Sequence, residues 1–176
     1  MKNKFIYLSF LALFSTSCQE QSFQLDDIIL ECHDPKYREE GYDIRTIIDD
    51  YEKLLVKEGV LQDDSGESYW KVYKKIASGN DFRIESATFR EYDPFFKVDN
   101  ETKLALFECE REMIGFASQR DSKWRGILGN FEPASGDENP ERIYQAMRGA
   151  MSEEDVNSYY FRLKMFQLFD MVNSNL

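Results

Sequence analysis

Apolar residues recur at helical spacing through most of the chain, and the clearest such stretch runs from Asp43 to Gly59. Asp43 is a favourable N-cap and Gly59 a favourable C-terminal stop, so this stretch is predicted to be one helix. Its apolar face consists of residues three or four positions apart, namely Ile44, Ile47, Ile48, Tyr51, Leu54 and Leu55. The opposite face is charged and is expected to lie in solvent, with Asp49, Asp50, Glu52, Lys53 and Lys57.

A second helix is predicted to end at Ser78, with Gly79 as its stop, and either Ser65 or Ser68 can act as its N-cap. The acidic turn that precedes it is short, so the two helices are predicted to form an αα-hairpin. Trp70 falls beside the apolar stripe of this helix. That phase favours a place in the core over an exposed platform for sugar rings.

Three more helices are predicted in the second half of the chain. The first runs from about 101 to 130, and it is either continuous or broken near Gly115 or Asp121. The next begins at Pro140, because proline is favoured at the first helical position. The last runs from about 153 to 173 and follows Ser152, which has the pattern of a capping box with Asp155.

The last predicted helix is apolar on nearly every side. Such a helix is either buried centrally or lies in an interface with a partner, and the pattern leaves both alternatives open. The second alternative gives a candidate interaction surface made of Tyr159, Phe161, Met165 and Phe169.

Two segments depart from the helical pattern. Leu25 to Leu30 is predicted to be a short strand or the first turns of a helix. Pro35 is predicted to end this segment, because the residue before a proline avoids helical geometry. Lys36 to Gly41 is predicted to be a charged loop. Phe82 to Tyr92 alternates and then slips in phase, which predicts a strand with a bulge. The chain is therefore predicted to be mainly α, a bundle-like single domain with an αα-hairpin and at most one or two short strands.

The first eighteen residues have the pattern of an export signal. Lys2 and Lys4 are followed by the apolar run Phe5 to Phe14, and small residues then lead to Cys18. The apolar run is shorter than the roughly 20 residues that a membrane-spanning helix needs. An ordinary secretory signal cut near Ser17 would share most of these features.

The cysteine after the small residues makes this segment resemble the signal of bacterial lipoproteins, with the relaxed motif typical of Bacteroidota. The resemblance implies that residues 1–17 are removed, that Cys18 carries the lipid, and that residues 18–24 form a tether to a globular domain of residues 25–176. By analogy with sorting in enterobacteria, Gln19 after the cysteine implies the outer membrane, on the side facing the periplasm. The resemblance covers these residues alone.

Removal of the signal leaves two cysteines, Cys32 and Cys109, in an oxidising compartment. They are either a disulfide or two separately buried thiols. The same removal takes out Lys2 and Lys4 and no acid, which leaves 20 basic and 33 acidic residues. This excess of acid disfavours nucleic acid and anionic lipid surfaces, and it favours a basic protein partner or plain solubility.

No catalytic, metal or cofactor site is predicted. His33 is the only histidine, so a Cys–His or Ser–His site would depend on this one residue, and no zinc cluster or glycine-rich phosphate loop is present. Glu108 and Glu112 share one side of a helix, but a solvated face is the simpler explanation of that pair.

The sequence therefore predicts a lipid-anchored cell-envelope protein that is not an enzyme and acts as a protein-interaction or assembly module. Two alternatives stay open. One is an immunity or inhibitor lipoprotein that neutralises a basic toxin or a cell-wall hydrolase, and the other is a domain that binds glycan or peptidoglycan.

Overall fold

The computed structural model describes residues 23–79, 82–85, 87–121, 123–125 and 140–174. The export signal, Cys18 and most of the tether lie outside these residues. Within them the predicted mainly α single domain is confirmed, and no strand occurs. The helices are α1 (Leu25–Ile28), a π-helical turn (Ile29–His33), α2 (Asp34–Glu39), α3 (Ile44–Lys57), α4 (Gly66–Ala77), α5 (Asn100–Arg120), α6 (Pro140–Ala150), α7 (Glu153–Val156) and α8 (Tyr159–Ser174).

Local capping signals set the ends of several helices as predicted. The side chain of Asp43 accepts the backbone N–H groups of Arg45 and Thr46, both at 3.2 Å, at the start of α3. Gly59 follows α3 with a positive φ of 74°, which glycine adopts without strain. Ser152 forms the predicted capping box with Asp155. Helix α5 ends at Arg120, so of the two forms predicted for this helix the one broken near Asp121 is confirmed.

The first segment of the domain is helical, and the predicted break at Pro35 is wrong. The N–H of Asp34 bonds to the carbonyl of Ile29, five residues earlier, so the helix widens into a π turn just before the proline. Pro35 then occupies the first turn of α2, where no N–H is required. The charged loop predicted from residue 36 is therefore mostly helix, and only Glu40 and Gly41 form a turn.

The strand predicted over Phe82 to Tyr92 is also wrong. Phe82 and Ile84 are both buried, as the alternation predicts, but the segment has no partner strand among the described residues. Its backbone groups bond instead to a side chain of α8: Asn173 accepts the N–H of Ile84 at 3.2 Å and donates to its carbonyl at 3.3 Å. Beyond this point the chain turns into a 3₁₀ helix, Phe89–Glu91.

Helix α8 is the centre of the core, so the central alternative for the last helix is confirmed. It packs against α1, α3 and α4, which cover it on several sides. The interaction surface predicted on this helix is therefore wrong, because Phe161, Met165 and Phe169 are at most 1 % exposed. The fourth residue, Tyr159, is half-buried and donates its hydroxyl hydrogen to Asp49 at 3.2 Å.

A partly buried ionic cluster joins α8 to the first two long helices. The guanidinium of Arg162 lies 3.0 Å from carboxylate oxygens of both Asp49 and Glu52. The hydroxyl of Tyr69 donates to the other oxygen of Glu52 at 2.6 Å. Glu52 is thus buried among partners on α4 and α8, whereas the sequence placed it on the solvent face of α3.

One residue that the sequence assigns to the tether contacts the domain. Phe23, assigned to the tether, packs edge-on against Trp124 with ring centroids 5.3 Å apart. Trp70 is buried, as its helical phase predicts, and Trp124 is buried as well. None of the helices in the described ranges is both long enough and apolar enough to cross a membrane.

Candidate binding cleft

A cleft of about 420 Å³ opens between the π turn, α5, α8 and a short 3₁₀ helix, Pro94–Phe96. Its walls are apolar and its floor is polar. The walls come from Tyr37, Phe95, Phe96, Leu106, Phe107 and Met171, and the floor comes from His33, Glu110, Lys164 and Gln167. Arg90 and Asp170 complete the lining.

The aromatic wall is held in place by a buried carboxylate. Asp93 accepts the N–H of Phe95 at 2.9 Å and the side-chain N–H of Gln167 at 3.2 Å. Burial raises the pKa of Asp93, and these hydrogen bonds oppose that rise. Phe95 in turn meets Phe96 and Phe107 edge to face, at centroid distances of 5.6 and 5.8 Å.

Part of this wall faces solvent. Phe96 is 46 % exposed, Phe107 is 64 % exposed and Met171 is 51 % exposed. Large apolar side chains that are exposed together beside a cavity are typical of a binding site. The adjacent phenylalanines Phe95 and Phe96 carried a signal of this in the sequence, since only one of two neighbours in an extended segment can point inward.

Glu110 is the electrostatic centre of the floor. It lies 2.6 Å from the ammonium of Lys164, accepts the hydroxyl hydrogen of Tyr160, and has an oxygen 3.4 Å from Nε2 of His33. Burial alone would raise the pKa of Glu110, but His33 and Lys164 together outweigh burial and lower this pKa to about 2. Glu110 is therefore ionised at neutral pH.

His33 is buried without a hydrogen bond. The residue is 5 % exposed, and neither of its ring nitrogens has a hydrogen-bond partner, although Nε2 is near Glu110. Its ring packs beside Tyr37 and Tyr160, with centroids at 5.7 and 6.5 Å. His33 is the last residue of the π-helical turn Ile29–His33. Such turns are often found at functional sites.

A disulfide joins the two elements that carry His33 and Glu110. Cys32 is bonded to Cys109, and their Cα atoms are 5.7 Å apart, so the bridge that the sequence left open is confirmed. Each cysteine immediately precedes one residue of the floor. The bridge therefore fixes the π turn against α5 beside the His33–Glu110 contact.

The cleft is suited to binding. Cys109 is in the disulfide, so it offers no thiolate to pair with His33 as a nucleophile. No group of three or more metal-ligating side chains occurs in the described parts of the chain. Glu108 and Glu112 are exposed, in line with a solvated face. What remains is an apolar cavity with a few convergent polar groups, the usual form of a ligand site.

Sequence reasoning placed the candidate surface on the apolar residues of α8, whereas the cleft uses polar residues of that helix, Lys164 and Gln167. It gave neither Phe107 nor Glu110 a role in a site. Comparison with known proteins adds no relative: no protein-family model, no curated protein and no solved structure matches the chain. The cleft and the N-terminal sequence therefore carry the functional interpretation.

Proposed function

We propose that this protein is a non-catalytic binding protein of the bacterial cell envelope, anchored by a lipid on Cys18 and facing the periplasm from the outer membrane. The observation that carries the binding role is the cleft, with exposed aromatic walls above a polar floor. The anchor is supported by the N-terminal pattern, in which small residues lead from an apolar run to Cys18.

A protein partner is the ligand class that we favour. The mature chain has 33 acidic against 20 basic residues once Lys2 and Lys4 are removed with the signal, so a basic partner is attracted over long range. An assembly factor of the envelope and an immunity protein against a basic toxin both fit this description. The identity of the captured protein distinguishes between them.

A glycan or peptidoglycan fragment is the second candidate, since the cleft is concave and combines aromatic walls with convergent polar groups. Two facts weigh against it. The tryptophans Trp70 and Trp124, with the largest ring surfaces for stacking on a sugar, are both buried in the core. The exposed wall is built from phenylalanine and methionine, which lack polar atoms for sugar hydroxyls.

The anchor is tested by replacing Cys18 with alanine and following the protein through cell fractionation. The Cys18→Ala variant is expected to leave the membrane fraction and to lose incorporation of a labelled fatty acid. Ser17→Ala is the matched control, because it keeps a small residue before the cysteine and is expected to stay in the membrane. Membrane retention of Cys18→Ala with no acyl label on the wild type would refute the anchor.

The binding role is tested by photo-crosslinking in cells that produce the protein. Phe107→p-benzoylphenylalanine places the reactive group on the cleft wall, and the same substitution at Leu104 places it on the same helix outside the cleft. Both residues are well exposed, at 64 % and 59 %. A discrete crosslinked product is expected from position 107 and none from position 104, whereas absence of a product at both positions would contradict a binding cleft.

A further inference from the structure

The size and the exposed apolar wall of the cleft are suited to one large apolar side chain. The cavity of about 420 Å³ lies toward the small end of ligand pockets, which span about 300–1,000 Å³. Phe96, Phe107 and Met171 expose apolar surface around it. An apolar group seated between them would remove that surface from water, which is the main favourable term in association.

The charges that line the cleft are already engaged within the protein. The ammonium of Lys164 lies 2.6 Å from Glu110, and the guanidinium of Arg90 lies 4.4 Å from the ring centroid of Phe96. Asp170 accepts the backbone N–H groups of Phe89 and Arg90. A charged ligand group would lose hydration here and would have to compete with these contacts for its partner, which favours an uncharged inserted group.

One ring nitrogen of the floor still lacks a partner. His33 is 5 % exposed and lines the cleft; its Nε2 lies 3.4 Å from Glu110, whereas its Nδ1 has no hydrogen-bond partner. A neutral imidazole has one donor and one acceptor. With Nε2 directed at Glu110, Nδ1 of a neutral ring is the acceptor, and a hydroxyl or an indole N–H can donate to it, so a side chain with an apolar body and such a polar end complements this site.

The net charge of the domain indicates which kind of partner segment would carry that side chain. With 33 acidic and 20 basic residues left after removal of the signal, the domain repels acidic segments and attracts basic ones. We infer that the cleft receives a tyrosine or tryptophan side chain from a basic segment of a partner protein. This inference rests on the proposed function and names the ligand class of the same cleft.

Blocked tripeptides test the inference directly. The full-length protein, exported by a bacterial host and purified in detergent, is titrated by saturation-transfer NMR with acetyl-Lys-Tyr-Lys-amide. We expect this peptide to bind about tenfold or more tightly than acetyl-Lys-Ala-Lys-amide and acetyl-Glu-Tyr-Glu-amide. Equal binding of the alanine peptide would refute the aromatic anchor, and equal binding of the glutamate peptide would refute the basic segment. Binding of chitotriose without binding of the tyrosine peptide would identify a glycan site and overturn the inference.

Variants locate the binding and test the role of the imidazole. Phe107→Ser is expected to weaken the tyrosine peptide about tenfold, whereas Leu104→Ser, equally exposed on the same helix, is expected to change the affinity less than about twofold. The wild type is expected to prefer the tyrosine peptide over its phenylalanine analogue, and His33→Phe is expected to abolish that preference. An unchanged preference in His33→Phe, with an unchanged circular dichroism spectrum, would contradict the pairing with His33.

The crosslinking and peptide experiments separate the two proposals. A crosslinked product at position 107 without binding of the tyrosine peptide would leave the binding role standing and overturn only the ligand class. Absence of both would refute both. A crosslinked product whose partner segment contains neither tyrosine nor tryptophan would likewise overturn the ligand class.

Discussion

The disulfide offers a prediction whose magnitude can be worked out from the structure. The bond joins residues that are 77 positions apart, and it therefore closes a large loop in the unfolded chain. In the chain-entropy model such a loop stabilises the folded state by about 4.5 kcal/mol at 25 °C. Cys32→Ala and Cys109→Ala together remove the bond, and alanine avoids the buried hydroxyl that serine would introduce beside α1.

The assay is urea unfolding of the wild type and the double variant, followed by circular dichroism and tryptophan fluorescence. A loss of about 4.5 kcal/mol is a large part of the usual 5–15 kcal/mol of a domain, and it corresponds to a fall in Tm of about 9–18 °C at this chain length. The wild type in a reducing buffer is expected to match the double variant. A control with reductant added to the double variant is expected to show no further change.

One result would contradict a stabilising effect of loop closure by this disulfide. If the oxidised wild type and the double variant unfold within about 1 kcal/mol of each other, the bond adds little to the fold. A second readout concerns the cleft, because the bridge adjoins the His33–Glu110 contact. Without the bond, the NMR signals of His33 are expected to broaden or shift, whereas an unchanged spectrum would mean that packing alone holds the cleft floor.

Three further predictions concern stability. Arg162→Met leaves the buried carboxylate of Glu52 without its cation and is expected to lower the free energy of unfolding in urea by about 3–5 kcal/mol. Adding Glu52→Leu is expected to recover much of this loss. No recovery would contradict a buried ion pair. Glu110→Gln is expected to cost about 3 kcal/mol at pH 7, because folding lowers the pKa of Glu110 from 4.5 to about 2. That contribution is fully present above pH 4.5 and is lost as the pH falls toward 2, so thermal unfolding of the two proteins is expected to converge in acid. Gly66→Ala would place a Cβ 2.5 Å from a side-chain carbon of α7 and is expected to lower stability by about 1–3 kcal/mol. Gly115→Ala, with nothing within 4 Å of the added Cβ, is expected to raise stability by about 0.5–1 kcal/mol. Equal Tm values for the two variants would contradict this contrast.

The helices could be predicted where their signals are local. Asp43 and Gly59 bracket α3 because a carboxylate that accepts free N–H groups and a glycine with positive φ act within one turn of the chain. The capping box at Ser152 works at the same short range. Such interactions need no knowledge of the tertiary fold, and the sequence predicts them well.

Predictions failed where distant residues decide the local structure. The alternation at Phe82 and Ile84 correctly predicts burial, but the partners of this backbone are Asn173 and Asp170 on a helix more than 80 positions away. Nothing in the segment itself distinguishes these side-chain partners from a neighbouring strand. At Pro35, Asp34 adopts the helical conformation that the residue before a proline usually avoids, and the chain passes from the π turn into α2 without a break.

The cleft could not be predicted from the sequence for a related reason. Leu106 and Phe107 are neighbours in sequence, yet the first is 2 % exposed and the second 64 % exposed. Helical spacing places both near an apolar face, and only the position of the surrounding elements decides which one stays in solvent. Lys164 and Glu110 lie on different helices, and their pairing follows from the packing of α8 beside α5 and not from any spacing in the sequence.

The central position of α8 has a consequence for the order in which the protein can fold. This helix is the last described element in the chain, and the earlier helices cluster around it. Until this helix has been made, α1, α3 and α4 lack the packing partner that all three share. We therefore expect the domain to complete its core only when this helix is present, so that a chain truncated before Tyr159 does not reach the native structure.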